Sequence, residues 1–415
     1  MHSSHLQGLG LALAFHANGI GSTIYELRER SFSEGGGLTL TPNALKILDL
    51  LGVYDTIRSE GYSFDKIVVK TESNVKIAEN LLGSEKVFGY DALRMSRQKL
   101  MGTLLKMIRD REIPIKYDRK FSGIVAEDAQ GVVFEFEDGS RESASLLIGA
   151  DGIHSRVRRY LHPTVKPVYT GVTCLISAAD RRNFRFPSTG DDQYLPRFIA
   201  GKHGAFILVP QSADGNTVAV MSHAQHPDMD RAGWEDLKSS PEKLMAMQIQ
   251  HKEDSPDFVQ SVMENIQPKT IALWPYTYVQ PLDTWTSPGK RVILLGDAAH
   301  AMPPTSGQGA GQALEDAYSL SMLLSRVGQQ VTLEAALSWW QGYRMERTKA
   351  VLELNQSLNE KRRPLAHQRN PQGDWRARVE GEERTEQGWL YMPKVEEDTL
   401  AWIEMEEAKT RRPSL

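Results

Sequence analysis

A single cysteine, Cys174, stands in 415 residues. No internal disulfide, cysteine-held metal cluster or dithiol redox centre can be built from it, so no metal site and a reducing, cytoplasmic setting are expected. Long apolar runs are also missing: no stretch approaches the roughly 20 residues that a membrane-spanning helix requires. The segment Leu9–Phe15 is apolar but short, and the seven residues before Gly8 carry no Lys or Arg, which argues against a secretory leader. Charge of one sign is lacking too. Forty-nine basic residues against 53 acidic ones leave a net charge of -4, with no general attraction to nucleic acid or anionic lipid. Repeats and low-complexity tracts are absent.

What is present alternates between two characters. Gly8 to Gly19 suits a helix closed by a glycine, and Ser22–Tyr25 reads as a short strand ending at Glu26. A turn-rich stretch from Ser31 to Gly37 leads to Thr41-Pro42, a capping residue before a first-turn proline, and a helix reaching Leu51. A further helix is expected from Ser96 to about Arg109, and strands at Gly131–Glu137 and Ser145–Gly149. From 166 to 284 short β-type runs dominate, with one helix near Pro241–Gln250. The α/β pattern then resumes at Arg291–Leu295. The expectation is an α/β, Rossmann-like domain (1–165 and 285–361) interrupted by a β-rich domain (166–284). A C-terminal loop and helix follow (362–415), the helix at Val395–Lys409.

Three stretches carry chemistry. In Gly8 to Glu26 a glycine opens a helix and an acid ends the next strand 18 residues later. Dinucleotide-binding units use such a glycine for close packing and such an acid for a ribose. Helix–strand units ending in Glu are common, so this stretch alone leaves the matter open. In Leu147–Arg158, a buried strand meets an Asp151-Gly152 turn, and Ser155 is placed to cap the next helix. An Asp at the carboxyl end of a parallel strand points into the crevice where such sheets bind ligands. In Val292–Asp316 a strand delivers Asp297, and a proline-stiffened loop runs through Gly307, Gly309 and Gly311 into a helix. Backbone N–H groups at that helix start would stabilise a ring edge that becomes negative on reduction.

The runs Gly-Ala-Asp-Gly-Ile-His-Ser-Arg-Val-Arg and Gly-Asp-Ala-Ala-His-Ala-Met-Pro-Pro, in this order, resemble the single-component flavoprotein monooxygenases. The resemblance spans roughly residues 8 to 360 and is strongest to fungal salicylate-hydroxylase-like members. It implies FAD as cofactor, with Gly8 packing helix on strand and Glu26 on the adenosine ribose. Gly36, Gly37, Gly309, Ala310 and Gly311 would line the flavin, Arg97 would meet the phosphate or ribityl region, and Asp297 would hold a ribityl hydroxyl. Asp151 would sit near the pyrophosphate and the approach of NADH or NADPH. The implied reaction hydroxylates a small aromatic or polyketide-like substrate with O2 through a flavin C4a-hydroperoxide. The rivals are another flavin oxidoreductase on the same scaffold and a truncated inactive homologue.

Two departures stand out. The family's fingerprint begins with a strand and two earlier glycines, whose places hold Ser3 and His5 here. The expectation is therefore a sheet whose first strand is truncated. Tyr278–Leu282 also lacks an acidic-Arg pair common in relatives before Pro-Leu. No substrate base is evident. His300 reads as structural, and Arg197 and Tyr194 in the β-rich region are the candidates for facing a substrate.

Overall fold

The computed structural model describes residues 4–29, 36–187, 193–328, 331–368 and 388–411. Residues 31–35 of the turn-rich stretch, and 369–387 of the expected loop, lie outside them.

The helical layer forms because its apolar residues recur on one face. The Ser4–Ala17, Pro42–Leu50, Arg97–Asp110 and Gly309–Leu324 helices bury Leu9, Leu13, Leu45, Leu48, Leu100, Leu104 and Leu314 in one core. Leu100, Leu104 and Ile108 follow at four-residue spacing, and each fully buried aliphatic side chain contributes about 1.5–3 kcal/mol. Thr41 precedes Pro42 as expected. Its hydroxyl does not cap the helix but donates to Asn43 Oδ1 at 2.8 Å.

The parallel sheet is present in two pieces. Ile24–Tyr25 pairs with Ile115–Lys116, and Leu147–Gly149 pairs with Val292–Leu294, both parallel. The two pairs are separate sheets, each with one unpaired edge per strand. Between them opens a cavity lined by Ile24, Tyr25, Ile115, Leu147 and Ile148, with Leu11 and Phe15 of the first helix. A small antiparallel sheet (Phe121–Glu127, Val132–Phe136, Arg141–Ala144) packs beside it.

The second layer is a seven-stranded sheet in the order Ala272–Tyr278, Val168–Asp180, Thr217–Gln225, Gly204–Pro210, Arg197–Gly201, Lys66–Thr71, Lys76–Leu81. Its last two strands come from the stretch expected to belong wholly to the nucleotide domain. The sheet therefore does not begin at 166. Lys66–Thr71 supplies Val68 and Val69 to the buried interior, and its alternation is too short to announce which layer it joins. Side chains alternate across this sheet. Ile199, Phe206, Leu208, Val218 and Val220 pack on Phe258, Val259 and Val262 of the Asp257–Glu264 helix. Phe198, Ile207, Val209 and Met221 form the other face, which looks into the cavity.

Candidate active site

One cavity of about 3400 Å3 runs from the broken parallel sheet to the apolar face of the seven-stranded sheet. It exceeds the roughly 300–1,000 Å3 of an ordinary small-ligand pocket. Gly8, Glu26, Gly36, Gly37, Arg97, Asp151, Asp297, Gly309 and Ala310 all line it.

Each is placed by its local structure. Glu26 sits where its strand ends, its carboxylate accepting from the Arg28 N–H at 2.9 Å. Arg97 opens a helix, and its N–H donates to the Gly36 carbonyl at 2.9 Å, tying the two wall segments together. Asp151 Oδ2 accepts from the N–H groups of Arg156 (2.6 Å) and Val157 (3.3 Å), while Oδ1 is buried without a hydrogen-bond partner. Ser155 caps the Arg156–Leu161 helix as its position suggests. Arg158 then joins the two Asp-bearing turns by donating from Nη1 to the Ala298 carbonyl at 2.9 Å, a tie that nothing in either motif announced.

Asp297 follows Gly296, whose φ of +60° and contact with Gln7 exclude a side chain: a Cβ there would lie 2.5 Å from Gln7 Cδ. Burial pushes the Asp297 carboxyl up, against the pull of His300 and Arg97 and a hydrogen bond from Gln7. His300 does not reach for a ligand with Nε2, which lies 2.6 Å from Asp316 Oδ2. The Gly309–Leu324 helix points its N-terminal turn at the cavity, presenting free N–H groups and the positive end of its dipole.

Gly311 is not part of the lining. A Cβ on it would meet Asn43 Nδ2 at 2.6 Å, so it serves the approach of the Pro42–Leu50 helix instead. Asn43 there donates to Glu315 Oε1 (2.7 Å) and Gln308 Oε1 (2.9 Å). Glu315 and Asp316 are held in turn by Arg344, at 2.6 and 2.7 Å, all three wholly buried. Arg347 adds a second cation to Glu315 at 2.6 Å. This buried ionic knot anchors the helix whose start faces the cavity.

Neither candidate substrate residue lines the cavity. Arg197 lies on the opposite face of the sheet from Phe198, its guanidinium 4.9 Å from the Phe258 ring centroid. The Tyr194 hydroxyl donates to Asp65 Oδ1 at 2.9 Å, beside a separate surface pocket. Polar groups that do line the cavity include Arg94, Gln211, His223, Tyr276 and Arg362. Sequence reasoning missed all five, since each sits alone on its own segment.

His223 and Tyr276 are hydrogen-bonded, Nε2 to Oη at 2.8 Å, and His223 Nδ1 faces the Ala205 carbonyl at 3.3 Å. A carbonyl only accepts, so Nδ1 carries the proton and Nε2 accepts from Tyr276. Burial, reinforced by Arg362, pushes the His223 imidazole down to about 3. The folded protein thus keeps this ring neutral where the unfolded chain takes up a proton near 6.5. Stability is lost as pH falls from there toward the folded value. A His223→Gln variant should lose less stability between pH 7 and about pH 5 than the parent, measured by denaturant titration at each pH.

The family profile described as FAD binding domain matches residues 4–355. The chain belongs to this FAD-binding family. It is similar to 6-hydroxynicotinate 3-monooxygenase of Bordetella bronchiseptica, 28% identical over 353 residues, covering 83% of this chain and 87% of that protein. It is likewise 28% identical over 372 residues to a 6-methylsalicylate 1-monooxygenase of Aspergillus terreus, covering 83% and 78%. In fold it resembles Klebsiella pneumoniae HpxO complexed with FAD and uric acid, with a TM-score of 0.72 at 22% identity over 98% of this chain and 95% of that one. CtdE in complex with FAD and substrate gives 0.76 at 18% identity over 98% of each.

The residues of this FAD-binding chain suit the cofactor named by the family. The cavity is far larger than an ordinary small-ligand pocket and has an acid at the strand end. Gly36 and Gly309 leave open space where side chains would stand, and a helix N-terminus faces the lumen. No helix among the described residues is long and apolar enough to cross a membrane.

Proposed function

We propose that this chain is an FAD-dependent monooxygenase that uses NADH or NADPH and dioxygen to hydroxylate a small aromatic or polyketide-like substrate. One observation carries the reading. The crevice holding Glu26, Asp297 and Gly309 and the apolar chamber over Phe198, Ile207 and Met221 are a single volume. A ring lying on that sheet would meet a flavin seated against Gly309 and Ala310 with little water between. Relatives named for 6-hydroxynicotinate and 6-methylsalicylate support an aromatic substrate.

Bound FAD supplies the redox chemistry with oxygen, and the protein supplies position, charge and dryness. Glu26 would hold the adenosine ribose, Arg97 would meet the phosphate or ribityl region with Asp151 near the pyrophosphate, and Asp297 would hold a ribityl hydroxyl. The Gly309 helix start would receive the flavin edge that gains negative charge. Tyr276, with its own proton given to His223, has oxygen lone pairs left to accept a substrate hydroxyl. Tyr276→Phe is therefore expected to cost about 1–3 kcal/mol of recognition, roughly 5- to 150-fold in kcat/KM, for a hydroxylated substrate. A substrate analogue lacking the hydroxyl should lose little, and equal losses for both would refute the role.

The proposed division keeps 1–165 with 285–361 as the cofactor part, amended by strands 66–81 joining the 166–284 sheet, and 362–415 as a C-terminal extension. A cytoplasmic site of action belongs to the same reading and is supported by the lone, buried and unpaired Cys174. The test is to purify the protein, record its flavin spectrum and follow NADH and NADPH oxidation with and without aromatic candidates. Labelled dioxygen should appear in the product. Substrate-independent oxidation without incorporation would favour an oxidase or reductase.

A further inference from the structure

The strands Arg197–Gly201 and Gly204–Pro210 are joined by a two-residue turn, Lys202-His203, with Gly201 paired to Gly204. Gly204 pins this end of the hairpin. At a φ of +127° it lies so close to the His223 carbonyl that a Cβ would stand 1.9 Å from that oxygen. A second turn, His251–Ser255, connects the Pro241–Ile249 and Asp257–Glu264 helices. Ser255 braces it, its N–H donating to the Lys252 carbonyl at 3.0 Å and its hydroxyl to the His251 carbonyl at 2.8 Å.

Between the two turns, three side chains of metal-ligating type converge. The His203 and His251 rings stack with centroids 3.6 Å apart, 6° from parallel. His203 Nε2 lies 3.6 Å from Asp254 Oδ2, and one ligand atom from each of the three falls within 4.8 Å of the others. That Nε2 is also shut off from solvent without a hydrogen-bond partner. A buried ring nitrogen is normally satisfied, and 3.6 Å is too long for a hydrogen bond to Asp254. It is close to the spacing of two ligands on one ion, because tetrahedral bonds of about 2.0–2.2 Å set ligand atoms roughly 3.3–3.6 Å apart. Imidazole ligates in its neutral form. Burial and the neighbouring His203 push the His251 imidazole down, against the pull of Asp254. The scarcity of cysteine excludes a thiolate centre but has no bearing on nitrogen and oxygen ligands.

We infer that His203, His251 and Asp254 bind one divalent transition-metal ion of the zinc type, which clips the hairpin turn to the turn after the Pro241–Ile249 helix. None of the three lines the large cavity, so this site is separate from the flavin crevice. Two imidazoles and one carboxylate suit Zn2+ and disfavour Mg2+, which prefers oxygen ligands in an octahedral shell. An ion lies in the plane of each imidazole it binds, so coordination tilts the two rings out of their stack. Lys202 opposes binding, with Nζ 3.8 Å from Asp254 Oδ2, but an exposed pair at that distance is readily given up.

The test uses the whole FAD-loaded chain without an affinity tag, stripped with chelator and titrated calorimetrically with ZnCl2 or MgCl2. One Zn2+ per chain should bind, at least tenfold more tightly than Mg2+. A hundredfold excess over its Kd should raise the melting midpoint by about 3 °C. His203→Ala, His251→Ala and Asp254→Asn should each weaken Zn2+ at least tenfold and abolish that shift. Lys202→Glu should tighten Zn2+ at least fivefold, because an anion replaces the cation competing for Asp254. This variant keeps all three ligands, so it decides the matter even if a histidine variant fails to fold. Zinc binding that survives loss of both histidines, equal binding of Mg2+, or a Lys202→Glu protein with unchanged or weaker zinc affinity overturns the inference.

Discussion

Arg344→Met should lower the melting midpoint by about 3–6 °C and be among the most damaging single changes in the helical layer. The variant leaves Glu315 and Asp316 in the interior without their shared cation, and breaking a buried pair in this way costs about 3–5 kcal/mol. At ~2.1 cal/mol/K per residue, the unfolding entropy of a 415-residue chain converts that cost into the stated shift. Arg347 and His300 remain as partners and hold the loss toward its lower end. The pH dependence gives a second reading. Burial works against ionisation, yet Arg347 and Arg344 keep Glu315 below its usual range, and His300 and Arg344 do the same for Asp316. An acid held low in the fold contributes stability above its unfolded value, near 4.5 or 3.8, and loses it as pH falls through the folded one. The gap between parent and variant should be full at neutral pH and narrow below about pH 4. Calorimetry at both pH values checks this. An unshifted midpoint would mean that the knot is not what anchors the Gly309 helix.

That knot shows where sequence reading succeeds and where it stops. Asp297 and Gly309 were legible because a short strand, an Asp and a glycine run follow one another along the chain, so that local backbone geometry alone fixes their juxtaposition. Glu26 and Asp151 were legible for the same reason, each ending a strand. Arg344 belongs to another helix 28 residues beyond Asp316, and no local pattern marks it as a partner. The chamber residues are harder still. Arg94, His223, Tyr276 and Arg362 come from four segments, and only the pairing of Cys174 with both His223 and Trp274 across the sheet brings the middle two together. One signal was available in Thr217–Gln225, where His223 shares the parity of Met221 on a strand that is otherwise mostly apolar. The same parity argument explains Arg197. Its neighbour Phe198 faces the chamber, so strand alternation turns Arg197 to the helices behind the sheet. Choosing between adjacent residues requires knowing which face is covered, and that depends on the Asp257–Glu264 helix sixty residues away.

The broken parallel sheet gives the other large expected effect. Fusing an apolar strand of about five residues, followed by a glycine-rich turn, ahead of Ser4 should stabilise the protein and tighten FAD binding about 10²- to 10⁴-fold. The unpaired edges of Ile24–Tyr25 and Leu147–Gly149 face a cavity walled by Leu11, Phe15, Ile115 and Ile148, which suits a strand with apolar side chains on both faces. Each hydrogen bond gained along those edges contributes about 0.5–1.5 kcal/mol, before the apolar contacts are counted. The turn would then present its N–H groups in front of the first helix, where a pyrophosphate is favoured by the helix dipole. Two such charge-assisted bonds, at about 1.5–3 kcal/mol each, give the stated range in affinity. A control fusion with alternating Lys and Glu in the strand should do neither, because it cannot enter an apolar seam. Flavin fluorescence titration and thermal melts of the parent, the apolar fusion and the charged fusion distinguish the cases. If the apolar fusion binds FAD no more tightly than the charged one, the seam is not a strand site, and the phosphate end must be held by groups already present, with Arg97 the first to examine.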